Sequence, residues 1–503
     1  MRACLWHFRV MARISLGRTV AMLGLLGLAC HSEPTRQPAS DPSPAATEPE
    51  PKPEPKPEPD PEPEPITELE RADPDRVNAE RPPYTPTATL GEPIEIRLAT
   101  GTRAVYAEPN YDAARRGRIR RKLSFFVYEH REGPDCDKPW AKVAEAGWIC
   151  LERTASTVEQ PRSLPVLASD DILPFIYARH VGHENPETPA IPVYASVAAF
   201  NRGDSPIETL AAYGSYAFIR SIYNRGTRVY QTANRRVVAA AELDEFKPSK
   251  FAGHELDDLA TGAVPPGTTL AWAVRWKTLI RSAPDPEAGV VARVPYHDTL
   301  HVVGEGVLGA DDERWFEVAE GPGWIRDHDI RRFLPVAPPT PTLAGQITVD
   351  IDLDQQVLSV WRDDEPVFAT LISSGKRGDQ TPVGLYRIET KWAYGKMASL
   401  ANAEDPYYVD AVPWAMYFDG RYALHAAYWH DLFGHRMSHG CVNLSPRDAK
   451  RVFDLVTPTL PHGWLLVHEH ARDPGAVVRV RNSDASVPDH RDPLATPKLS
   501  SSG

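Results

Sequence analysis

Cysteine is scarce in this chain: five residues in 503, beside only six methionines. No two cysteines are spaced Cys-x-x-Cys and no His-Glu-x-x-His occurs, so the common zinc-binding patterns are missing and no metal is expected. Long apolar runs are missing as well. The apolar stretch nearest the start, Val20 to Ala29, falls short of the ~20 residues that a spanning helix wants. Basic residues are not in excess either, with 56 Lys/Arg against 68 Asp/Glu and a formal charge of −12, which excludes a broad nucleic-acid footprint. The acidity is local: residues 41–80 hold 13 Asp/Glu against 4 Lys/Arg, and the remainder is close to neutral.

Proline, in contrast, is abundant, and many of its 50 copies are crowded into one place. From Glu48 to Pro65 every second residue is proline, mostly alternating with Glu or Lys. Such a run can form neither a helix nor a sheet ladder, and reads as an extended polyproline II spacer. Residues 31–92 as a whole show no apolar periodicity and are expected to be a disordered tether. Ahead of it, residues 1–30 carry Arg2, Arg9, Arg13 and Arg18 before the apolar run, the layout of a signal peptide, with a membrane anchor helix or a start at Met11 as alternatives. The end of that run, Ala29-Cys30, resembles a bacterial lipoprotein processing site. That resemblance implies lipidation of Cys30, membrane attachment and an exported protein of the periplasm or cell envelope; cleavage without lipid is the alternative.

Beyond the tether the chain breaks into short alternating segments punctuated by turn residues, the pattern of small all-β units. Two stretches are alike: Trp140 to Ile149 and Trp315 to Ile325 each run from one tryptophan to a Gly-Trp-Ile or Gly-x-Gly-Trp-Ile close. Each follows a strand entering a turn, Val105–Pro109 and Ile280–Pro284, and a weaker copy opens at Val193. The copies open nearly ninety residues apart, a spacing of repeated small domains and not of a solenoid. They resemble bacterial SH3-like barrels, placed here at residues 93–160, 161–270 (the least secure) and 271–335, with packing of the tryptophans or wall binding as alternative uses. In an exported protein Cys136 and Cys150 can bridge; two buried thiols are the other reading.

A different pattern starts at residue 345. Ile347 to Trp361 reads as two strands around a turn, Val367 to Ser374 as a third, and Thr381-Pro-Val-Gly384 leads into an aromatic strand. Met416 to Leu424 forms a hairpin that delivers His425, followed within eighteen residues by His430, His435 and Ser438-His439-Gly440-Cys441-Val442-Asn443. Ser445 and Pro446 then cap a helix, whose dipole is expected to act on the nearby thiol. A thiol in reach of a histidine is the minimum for a cysteine nucleophile.

Ser-His-Gly-Cys-Val-Asn, the upstream His425 and the separate Thr-Pro-x-Gly together resemble the L,D-transpeptidases with a YkuD-type catalytic domain. By that resemblance Cys441 is the nucleophile, His425 moves the proton, His439 and Gly440 shape the oxyanion backbone, and Asn443 touches substrate. Ser438, Tyr417 and Met416 are expected beside the substrate too. The family implies peptidoglycan stem peptides as partners, no cofactor and an amine acceptor. An L,D-carboxypeptidase or amidase using water, or a non-catalytic wall-binding lipoprotein, are the alternatives. Where many members have glycine after the upstream histidine, this chain has Ala426. The fold expected is mainly β: SH3-like modules, then a mostly-β catalytic domain over 345–470 with a short helix after the cysteine, and a disordered tail over 471–503.

Overall fold

The computed structural model describes residues 90–484, apart from 168–170, 184, 186–187, 257–263, 339–344 and 400–406. The expected signal peptide, Cys30 and nearly all of the tether lie outside the described residues. Among those described, strands dominate, and no helix is long and apolar enough to cross a membrane.

Two sheets carry the C-terminal region. In the first, Ile347–Asp352 and Val357–Arg362 form the expected hairpin, turned through Gln356 at φ +52°, and Glu365–Leu371 pairs with the second strand. On its other edge Ile347–Asp352 runs parallel to Val477–Arg481, which pairs in turn with Gly384–Arg387. The strand Val477–Arg481 corrects the expectation of a disordered tail from residue 471. All five of its residues are buried, and it pairs on both sides within a six-stranded sheet. Alternating arginines give the segment a polar appearance, but Arg479 and Arg481 are turned inward and neutralised by Asp350 and Asp352.

The second sheet is built on the twelve-residue strand Tyr408–Asp419. It pairs with Thr390–Ala398 on one side and folds back through Gly420, at φ +55°, into Tyr422–Ala426 on the other. At its outer end it pairs in parallel with Gly214–Phe218. Thr390–Ala398 also takes Leu466–His468, and that strand binds Gly117 and Arg118 of Arg115–Ile119. Strands from the 93–160 and 161–270 regions are thus hydrogen-bonded into the same sheet as Tyr408–Asp419 and Thr390–Ala398. The first of these regions holds the Cys136–Cys150 disulfide, packed with Trp140 and Trp148. Residues 268–332 form a separate seven-stranded sheet in which Trp315 is buried.

Between the two C-terminal sheets lies an aliphatic core that includes Val349, Ile351, Val360, Leu424 and Val442. The helix Pro446–Leu455 closes it with Ala449, Val452 and Phe453, spaced so that they share one face. At its start the Ser445 hydroxyl accepts from Asp448 N and donates to the Phe251 carbonyl. At its end Lys391 Nζ donates 2.7 Å bonds to the Phe453 and Val456 carbonyls, which a helix end otherwise leaves unpaired. Burial pulls the pKa of this lysine down to about 7.

Asp448 ties the helix to the backbone at Gly253 and to the strand Glu365–Leu371, accepting from Gly253 N at 2.7 Å and from the Thr370 hydroxyl at 2.5 Å. Burial pushes its carboxyl up to about 6, against the pull of these donors. The folded protein therefore holds this proton to a higher pH than the unfolded chain, whose carboxylate titrates near 4. The contribution of Asp448 to stability is greatest at low pH and declines as pH rises from about 4 to about 6. Asp448→Asn, which can still accept from Gly253 and donate to Thr370, is expected to flatten that decline in thermal unfolding measured from pH 4 to 7. Asp448→Ala is expected to cost about 1–3 kcal/mol for each donor left unpaired.

Candidate active site

Side chains alternate across a strand, and that alternation sorts the site residues. In the hairpin, Tyr417 pairs with Ala423 and Met416 with Leu424, while Tyr422–Ala426 runs parallel to Val442–Leu444 with His425 opposite Asn443. Met416, Leu424 and Val442 enter the aliphatic core. Tyr417 and Ala423 cluster on the opposite face with Cys441, Trp392 and Met397. Met416 is 0 % exposed, which corrects the expectation that it touches substrate: its parity on the strand points it away from the thiol. Tyr417 stands on the thiol's side, and its phenol is pushed upward by burial and by the neighbouring Cys441 and Tyr407.

His425 is 3 % exposed, and its Nδ1 lies 3.1 Å from the Ala426 carbonyl. A carbonyl can only accept, so Nδ1 carries the ring proton and Nε2 is left as the basic nitrogen. Burial pulls its pKa down to about 4. Alanine at position 426 does not disturb this arrangement, because its methyl group joins the core on the far face while its carbonyl orients the ring.

Cys441 is half-buried and is the free thiol among the described residues. Its Sγ lies 3.7 Å from the Arg421 carbonyl, in reach as a weak S–H donor. Burial pushes the thiol upward, while the Ala423 backbone N–H and the Arg421 charge pull it down. The helix whose dipole is expected to act on the thiol begins only at Pro446. The strand Val442–Leu444 separates the thiol from the helix, and the field of a helix end falls off within about one turn. The resting pair is accordingly a thiol and a neutral imidazole.

The Ser-His-Gly-Cys turn is held from several sides. Ser438 Oγ accepts from Gly440 N at 3.1 Å and donates to the Cys441 carbonyl. Gly440 N–H is therefore already engaged, which takes it out of the set of open oxyanion donors in this structure. Gly440 sits at φ +111°, where an added Cβ would stand 2.5 Å from the Tyr422 ring. His439 is exposed, with Nε2 3.0 Å from Lys376 Nζ and its ring stacked on Tyr407 at 5.2 Å. Asn443 is buried and hydrogen-bonded through its side chain to His430, at 3.0 Å.

Thr381, from the second motif, meets the first here. Its hydroxyl accepts from Gly375 N at 3.0 Å and donates to the Gly440 carbonyl at 2.8 Å. Thr381→Val keeps the shape but orphans both backbone groups in a buried place. A loss of about 1–3 kcal/mol in chemical unfolding is expected, with a larger fractional loss of Cys441 reactivity than of fold.

Arg421, Tyr407 and His430 also belong to the site and were not foreseen. Arg421 occupies a hairpin turn and Tyr407 lies next to a stretch rich in turn residues, so neither has a periodic signal. For His430 the available signal was its place five residues after His425.

The site can be set beside known proteins. Solved structures similar to this chain include a cysteine-to-serine mutant of the Enterococcus faecium L,D-transpeptidase, at 22% identity, covering 27% of this chain and 50% of that one with a TM-score of 0.22. L,D-transpeptidase 3 from Mycobacterium tuberculosis is similar at 19% identity over 32% of this chain and 74% of that one, with a TM-score of 0.23. An L,D-transpeptidase from Stackebrandtia nassauensis is similar at 26% identity over 28% and 58%, with a TM-score of 0.20. The chain thus spans half the length of the first of these. No curated protein matches it. The His425 strand, the Cys441 turn and the Thr381 motif all fall within residues 346–480, the stretch that matches the family model of the YkuD L,D-transpeptidase catalytic domain.

Proposed function

We propose that the protein is a cysteine-dependent L,D-transpeptidase acting on peptidoglycan stem peptides. The observation that carries this reading is the strand register that sets His425, its Nδ1 anchored on the Ala426 carbonyl, opposite Asn443, two residues after the half-buried Cys441 thiol, inside a region that matches the catalytic-domain model. His425 Nε2 takes the proton as Cys441 Sγ attacks the donor carbonyl. When the tetrahedral intermediate collapses the carbon–nitrogen bond breaks, and the proton goes to the departing amine, leaving a thioester on Cys441. An acceptor amine then attacks, loses a proton to His425, and the thiol is regained as the new amide forms.

The export signals of residues 1–30 and the proline-rich tether support a location in the cell envelope, with Cys30 as the anchoring residue. Incubation with a stem tetrapeptide followed by mass spectrometry is expected to give an adduct on the peptide that contains Cys441, and a new amide when an amine acceptor is added. An adduct on another residue would sink the assignment. Release of the shortened peptide with water even at high acceptor concentration would make the protein a carboxypeptidase instead.

A further inference from the structure

The loop between the two reacting residues is held from outside the catalytic sheets. Tyr296 donates its hydroxyl to the Asp431 carbonyl at 3.0 Å, and Arg331 Nε donates to the Gly434 carbonyl at 3.0 Å. His297 Nε2 lies 3.3 Å from the Phe433 carbonyl, and His435 Nε2 lies 2.9 Å from the Val274 carbonyl. All four partners, Val274, Tyr296, His297 and Arg331, belong to the region of the seven-stranded sheet. Phe433 is fully buried between the rings of Phe251, His297 and His430. Gly434 sits at φ +89° where an added Cβ would run into Val274, so the approach of loop to sheet is close enough to require glycine.

His430 occupies the inner end of this braced loop. Its Nδ1 accepts from Leu432 N at 3.2 Å, and its ring packs against Phe433 at 5.0 Å. A neutral imidazole whose Nδ1 accepts carries its proton on Nε2, the atom 3.0 Å from the Asn443 amide. The structure sets Asn443 Nδ2 at that atom, where two N–H donors would face each other; turning the amide end for end lets its oxygen accept from Nε2–H and leaves the NH₂ group for donation elsewhere. Without such a partner the two ends of an asparagine amide are nearly interchangeable in shape, and nothing chooses between them. Asn443 stands opposite His425 in the strand register and two residues after Cys441, on the same face.

We propose that His430 is a positioning residue, which fixes the orientation of the Asn443 amide beside Cys441 and His425 and is itself held by the loop that the seven-stranded sheet clamps. Burial, aided by the neighbouring His425, pulls the His430 pKa down to about 4, so the ring stays in the neutral form that this role needs. The inference rests on the transpeptidase reading for its consequence in turnover, but the contact itself does not.

Two replacements divide the ring's functions in the full-length protein. In His430→Asn the side-chain oxygen can take the place of Nδ1 and still accept from Leu432, but the reach to Asn443 is lost. In His430→Gln the amide nitrogen can take the place of Nε2 and still donate to Asn443. Steady-state acylation by a stem tetrapeptide is expected to lose up to about 10²-fold in kcat/KM in His430→Asn, with an unchanged melting temperature. His430→Gln is expected to stay within a few-fold of wild type. In an Asn443→Ala background His430→Asn should add nothing further. Equal losses in both variants, or a full additional loss without Asn443, would overturn the proposal. If wild type itself does not turn over the peptide, the transpeptidase reading fails first. The Asn443 side-chain NH₂ resonances in protein labelled with ¹⁵N-asparagine then decide: a shift in His430→Asn but not in His430→Gln supports the contact, and no shift in either refutes it.

Discussion

Acylation is expected to fall about 10²–10⁴-fold in His425→Gln and to vanish in Cys441→Ala, with the acid limb of the wild-type pH profile near 4. The expectation comes from two opposite burial effects. Burial disfavours charge on both groups, so the imidazole is harder to protonate and the thiol harder to deprotonate than in water. An ion pair of thiolate and imidazolium would show an acid limb set by the thiol and a base already protonated at neutral pH. Here the imidazole is neutral and able to accept until pH falls through about 4. The thiol proton is therefore transferred during attack, and acylation should hold level from about pH 5 to neutrality. Arg421 limits how far the thiol is raised, so Arg421→Gln should slow acylation at neutral pH and shift the alkaline rise further up. The check is single-turnover acylation followed by mass spectrometry from pH 3.5 to 9. A limb centred between 6 and 7 would mean that the His425 imidazole titrates near its ordinary value, and the burial reasoning would fail with it.

The residues that gather at the candidate site were legible because they stand in short, local spacings. Cys441, His439 and Gly440 are adjacent, His425 ends a hairpin strand whose alternation is plain, and Thr381 announces itself in a four-residue motif that the fold brings to the Gly440 carbonyl. The helix after the cysteine was equally plain, since Ser445 and Pro446 are strong start signals and the apolar spacing that follows is helical. What stayed hidden was set by partners far away in sequence. Nothing local says that Met416 faces the aliphatic core and Tyr417 the thiol, because both are apolar and the register of their hairpin decides it. Likewise no local pattern joins Arg115–Ile119 to Leu466–His468, or ties His430 to Tyr296 and His297 through the loop between them. The Val477–Arg481 strand was misread for a related reason: charged residues at alternate positions normally mark a solvent face, and only distant carboxylates reverse that.

Those carboxylates make the second large expectation, a loss of about 3–5 kcal/mol in Asp350→Ala. Asp350 is 2 % exposed and receives both Arg479 Nε, at 2.5 Å, and Arg481 Nη2, at 2.9 Å. Arg481, 1 % exposed, also reaches Asp352 at 2.9 Å. Removing one carboxylate leaves Arg481 with a single acid and Arg479 with none, and neither guanidinium can lose its proton to escape the low-dielectric interior. The arginines have a further task that predicts where the damage appears. Arg479 donates to the Val336 and Ala337 carbonyls and Arg481 to the Leu334 carbonyl, which pins the segment that leaves the seven-stranded sheet to the edge of the catalytic core. Asp350→Ala should therefore lower the unfolding midpoint and also open a protease site near residues 333–338 before global unfolding. Asp350→Asn, which keeps the shape and one acceptor oxygen, should lose less. Replacing Asp350, Arg479 and Arg481 together with leucine and methionine should recover much of the lost stability but leave the 333–338 segment open to protease, because the carbonyls it offers would still lack donors. Equal protection of that segment in Asp350→Ala and wild type would show that the arginines are held by the backbone carbonyls alone, and that the buried acids serve only to balance charge.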